Sequence, residues 1–201
     1  MHQTNSKSRT SLRHSCRILT CVGFVCCTGL AVAQPASNES LKAFEVIRSV
    51  FQHPRCQNCH IPGDAPLQYD QGLTHSQFVK RGPDGRGAIA MECASCHHDQ
   101  NLPVSYGDNV PPGAPNWHLP PPEMKMVFIG LTPRQLCETI KNKPATGGKD
   151  LQAMLVHVRD DKLVAWGWNP GGHRTLPPVS RAETVAALTG WIDAGAPCPE
   201  Q

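Results

Sequence analysis

Two copies of one five-residue pattern constrain this chain more than anything else in it: Cys56-Gln57-Asn58-Cys59-His60 and Cys93-Ala94-Ser95-Cys96-His97. C-x-x-C-H is the attachment signature of c-type haem. Two thiols add to the two vinyl groups on one edge of the porphyrin, and two intervening residues let both sulfurs reach. The adjacent histidine then lies beneath the ring, where its imidazole nitrogen becomes the proximal ligand of iron. Two other readings compete: a four-thiolate zinc site made from paired C-x2-C units and a redox dithiol. Neither requires histidine directly after the second cysteine. With 10 histidines in 201 residues, finding it there twice by accident is roughly a 1 in 400 event. The expectation is two covalent haems, held by Cys56 and Cys59 and by Cys93 and Cys96, with His60 and His97 as proximal iron ligands.

Composition says what must surround them. Apolar residues are 39 % and aromatics 5 %, while Gly (17) and Pro (19) are frequent, so the chain should be loop-rich with a modest core. Met1 to Ala33 reads as a secretory signal. Lys7, Arg9, Arg13 and Arg17 form its basic start, Ile18 to Leu30 is mostly apolar, and Ala31-Val32-Ala33 is a small-x-small cleavage site. Cleavage after Ala33 removes four of 19 basic residues and none of 16 acids, turning +3 into −1. A nucleic-acid partner is thereby disfavoured, since phosphate binding needs a basic face. Cys16, Cys21, Cys26 and Cys27 leave with the signal, and the mature region, residues 34–201, is expected in the periplasm. In that oxidising compartment the two cysteines outside the motifs, Cys137 and Cys198, are candidates for a disulfide.

The mature region reads as mostly α with extensive loops. Phe44, Ile47, Val50 and Phe51 give a helical stripe over Glu39 to Gln52, ended by His53-Pro54. Thr132-Pro133-Arg134-Gln135 and Ser180-Arg181-Ala182-Glu183 are capping boxes that open two further helices. Asp150 to Arg159 carries Leu151, Met154, Leu155 and Val158 on one face. Ile61 to Met91 is turn-rich, with Arg81-Gly82-Pro83-Asp84-Gly85-Arg86-Gly87 its clearest loop, and Asn101 to Pro122 holds seven prolines.

An iron that only transfers electrons needs a sixth ligand, His or Met. Leu119-Pro120-Pro121-Pro122-Glu123-Met124-Lys125-Met126-Val127-Phe128 resembles the proline-rich loop that delivers the axial methionine in small class I cytochromes c. The resemblance implies a cytochrome c-like di-haem region with Met126 as the first candidate and Met124 beside it. His118 is a second candidate. Met91, two residues before Cys93, would more naturally cap the other haem than its own, and His75 could serve the first haem across the intervening loop. His53, His98, His157 and His173 read as surface or hydrogen-bonding residues, and Trp166-Gly167-Trp168 as haem-covering core.

Taken in order, His53-Pro54-Arg55-Cys56-x-x-Cys59-His60, Arg81-Gly82-Pro83-Asp84-Gly85, Cys96-His97 and Pro112-Gly113-Ala114-Pro115-Asn116-Trp117-His118-Leu119-Pro120-Pro121 resemble exported proteins described as isoquinoline 1-oxidoreductase subunits. Trp166-Gly167-Trp168 and Gly195-Ala196-Pro197-Cys198-Pro199 continue the likeness, which covers essentially all of the mature chain. It implies a cytochrome subunit that takes electrons from a molybdenum hydroxylase acting on N-heterocycles or aldehydes. Nothing in the chain resembles a molybdopterin-binding or iron–sulfur segment. The alternative is a peroxidase-like haem enzyme, which needs one open iron position and a distal base such as His75 or His118.

Overall fold

The computed structural model describes residues 37–107 and 109–201; the expected signal, residues 1–33, lies outside them. Of the described residues 41 % are helical and 5 % lie in strands, so the fold is mostly α, as its composition and periodicity suggest. The helices are α1 (Asn38–Phe51), α2 (Pro54–Gln57), α3 (Pro133–Lys141), α4 (Leu151–Asp160), α5 (Lys162–Trp166) and α6 (Arg181–Asp193).

Local chemistry starts these helices where it should. The Ser37 side chain accepts from Ser40 N at the head of α1. Thr132 with Gln135, and Ser180 with Glu183, close the two capping boxes of α3 and α6. Asp150 caps α4, and Asp161 caps α5 by accepting from Leu163 N and Val164 N. The core then forms where the apolar faces meet. Phe44 of α1 packs on Trp191 of α6 with ring centroids 5.5 Å apart. Ile47, Val50, Leu136, Ile140, Met154, Val158 and Leu188 fill the remainder. Trp191 has no exposed surface, and its indole N–H donates to Pro197 O at 2.8 Å.

The C-terminal tail is fastened to the same core. Cys137 on α3 is bonded to Cys198, with Cα atoms 5.6 Å apart, and Lys141 Nζ donates to Ala196 O.

Between α2 and α3 the chain is built from turns and two very short antiparallel ladders. Strands β1 (Leu67–Gln68) and β2 (Leu73–Thr74) pair Leu67 with Thr74; β3 (Gly87–Ala88) and β4 (Met91–Glu92) pair Gly87 with Glu92. Such ladders are too short to hold themselves, and buried polar groups brace them. Arg81 has no exposed surface; its guanidinium donates to Pro120 O, Gly63 O and Ile61 O, tying three loops to one point. Gly85 (φ +86) lies so close to the next loop that a Cβ there would stand 2.0 Å from Leu119 O. Only glycine permits the Gly85 O to Leu119 N bond of 2.8 Å at that approach.

Candidate haem sites

The two C-x-x-C-H motifs, set in different surroundings, fold the same way locally. In the first, which begins in α2, Cys59 N donates to Cys56 O at 3.2 Å and His60 N to Cys56 O at 3.3 Å. In the second, Cys96 N donates to Cys93 O at 3.2 Å and His97 N to Cys93 O at 2.9 Å. One helical turn thus sets the first cysteine and the histidine, four residues apart, on one face.

Each imidazole is then oriented in the same manner. His60 Nδ1–H donates to Met126 O at 2.9 Å, and His97 Nδ1–H donates to Pro112 O at 2.7 Å. Aromatic rings clamp both: Phe128 stacks on His60 at 4.1 Å between centroids, and Trp117 stacks on His97 at 4.3 Å. Burial lowers both imidazoles to about 4, against the smaller opposing effect of the carbonyl bonds. At neutral pH both rings are therefore uncharged, with Nδ1 protonated and the Nε2 lone pair free. That is the state a metal-binding histidine requires, with its tautomer fixed by the carbonyl behind it.

Each motif opens into its own cavity. Cys56, Cys59 and His60 line a narrow slot of about 170 Å³ with Phe51, Phe128, Met154 and Trp168. Cys93, Cys96 and His97 line a wider one of about 560 Å³. A common wall made by Arg55, Cys59, Trp117 and Trp166 faces both. Within it Trp117 and Trp166 meet edge to face at 4.9 Å, and the Arg55 guanidinium lies 5.8 Å from the Trp166 ring centre.

The residues fit the group that the motifs imply. Desolvation pushes the Cys56 thiol up to about 12 and the Cys59 thiol up to about 11, so this pair is protonated, unlike the thiolate of a reactive dithiol. Arg55 is 6 % exposed and pairs with Asp70, yet its Nε is buried with no partner. A cation with a spare donor, beside two apolar cavities, suits the carboxylates that a haem carries on an otherwise apolar ring.

The structure sorts the expected sixth ligands between the cavities. Met124, Met126 and His118 line the first, and Met91 and His75 the second. The carbonyl of Met126 lies behind His60, at its Nδ1 edge and away from Nε2. The Met124 side chain runs past Gly147, where a Cβ would stand 1.9 Å from its Sδ. The His118 Nδ1–H donates to Asn116 O at 2.6 Å. Met91 sits in the cavity of its own motif, and His75 lines the second cavity instead of the first. Strand β2 explains His75: the hairpin begins at Leu67, whose N–H donates to Asn58 O within the first motif, and returns toward the second.

One residue read from the sequence as surface or hydrogen-bonding also joins a cavity. His157 lines the first, with its Nδ1 3.3 Å from Asp161 Oδ2. The only sequence signal for it was the i, i+4 spacing of His157 and Asp161, which recurs on many helices with no such meaning. Comparison with protein-family models, with curated proteins and with solved structures gives no match to this chain.

Proposed function

We propose that this chain is a periplasmic electron carrier with two covalent c-type haems and a cytochrome c-like fold. The observation that carries the reading is the repetition of one local geometry at both motifs. In each, a helical turn brings cysteine and histidine to one face, and a carbonyl-anchored neutral imidazole opens into a separate cavity. When bound, each haem supplies a one-electron ferric–ferrous couple.

The protein's own contribution is to hold and to shield. Cys56, Cys59, Cys93 and Cys96 would hold each ring by thioethers, and His60 and His97 would present Nε2 to its iron. Phe51, Phe128, Met154 and Trp168 keep water from the first ring. Arg55 offers its donors to haem carboxylates, and Trp117 and Trp166 fill the space between the cavities. Two sites sharing a wall are close enough for electrons to pass from one to the other. The family likeness extends the proposal to the partner: a molybdenum hydroxylase, isoquinoline 1-oxidoreductase-like, which this chain would relieve of electrons.

The test is export of the chain in a host with the haem-attachment machinery, followed by a pyridine haemochrome assay and intact mass. Two haems per chain are expected, with low-spin spectra unmoved by CO. A colourless chain overturns the reading. A haem that binds CO rapidly in the unaltered protein turns it toward the peroxidase-like alternative.

A further inference from the structure

We propose that His75 is the sixth ligand at the site built by Cys93, Cys96 and His97, so that this iron is held between two imidazoles. The inference rests on the two-haem reading and deepens it. Its observation is a separation: the ring centroids of His75 and His97 stand 6.1 Å apart, with the planes at 62°. The rings meet edge to face, unlike those of His97 and Trp117, which stack at 4.3 Å. Two imidazoles on opposite sides of one metal ion, with metal–nitrogen bonds of about 2.0 Å and roughly 1.1 Å from each nitrogen to its ring centre, come to a little over 6 Å. The gap between His75 and His97 is the gap that one bound ion would span.

The edges of the two rings support the same assignment. His97 turns Nδ1 to Pro112 O at 2.7 Å, and His75 turns Nδ1 to Ser76 O at 2.8 Å. Each carbonyl requires a protonated Nδ1, which leaves Nε2 on both rings as the atom with a free lone pair. Both side chains line the same cavity and are half-buried.

The position of His75 is imposed by the chain on either side of it. Its N–H donates to Pro66 O at 2.9 Å, and it follows β2, which is paired to β1. The hairpin turn uses Tyr69 (φ +60) and Gly72 (φ +64). Of the other side chains considered for this role, Met91 is in this cavity but 43 % exposed, and its thioether has no anchoring bond comparable to the one that aims His75.

The experiment uses the exported, haem-loaded chain and its His75→Ala and His75→Met variants, with His118→Ala as control. Haemochrome assay first fixes the number of haems. The unaltered protein should show two low-spin irons in electron paramagnetic resonance, neither binding CO when reduced. In His75→Ala, half of the haem should become high-spin and bind CO, and added imidazole should restore the low-spin signal. His75→Met should remain low-spin but gain the weak red absorption of a methionine-bound ferric haem, and His118→Ala should leave the second iron unchanged. Two haems with a spectrum unmoved by His75→Ala would overturn this assignment alone. A chain carrying no haem would overturn the two-haem reading and this assignment with it.

Discussion

The Asp161 carboxylate caps α5 and receives the His157 imidazole, and these bonds hold its carboxyl at about 2, below its ordinary 3.8. The hydrogen bond from His157 is the largest cause, burial opposes it, and the Val164 and Leu163 N–H groups add to it. Because the folded value is depressed, the stabilisation is complete above about pH 4 and is lost as the pH falls through 2. Asp161→Asn should therefore lower the melting temperature at neutral pH and flatten its dependence between pH 4 and pH 2. Acid titration of thermal unfolding in both proteins checks this. The residue scale also shows what a sequence can hide. The Arg81 loop reads as turn-rich and polar, yet its arginine is buried, because three carbonyls from distant loops need its donors.

The longer helices were open to reading because their signals are local: an apolar stripe, a capping residue, a proline at the first position. Their observed bounds fall within a residue or two of those expected at most ends. Ser180→Ala removes an acceptor from Glu183 N and breaks the box that starts α6. It should cost about 1 kcal/mol, measured by urea unfolding with an unchanged slope. The short elements were not open in this way. Helices α2 and α5 and the two ladders have too few residues to carry a period, and they persist through bonds to remote partners. Arg55 of α2 is paired with Asp70 in the β1–β2 turn, and Asp70 in turn accepts from Thr175 N.

At the scale of the molecule, the disulfide closes the largest covalent loop among the described residues, joining positions 61 apart. Constraint of the unfolded chain by a loop of that length is worth about 4 kcal/mol. The Cys137→Ser, Cys198→Ser double variant should lose most of that in equilibrium unfolding, while haem content per folded chain stays the same. The two C-x-x-C-H motifs were legible because the haem attachment proposed for them demands a fixed spacing along the chain. The lining of the two cavities was not, because which loop crosses which cavity is decided by tertiary bonds. His75 is 15 residues past His60 and 22 before His97, and only the hairpin between them settles which it meets.

The wall of Arg55, Cys59, Trp117 and Trp166 has a further consequence. A partition owned by two rooms cannot be moved for the sake of one. Any substitution in it alters the dielectric and the packing on both faces at once, so the two sites must be tuned jointly, by compromise. Independent adjustment is left to the outer walls, where Met154 and His157 face one cavity and Met91 and His75 the other.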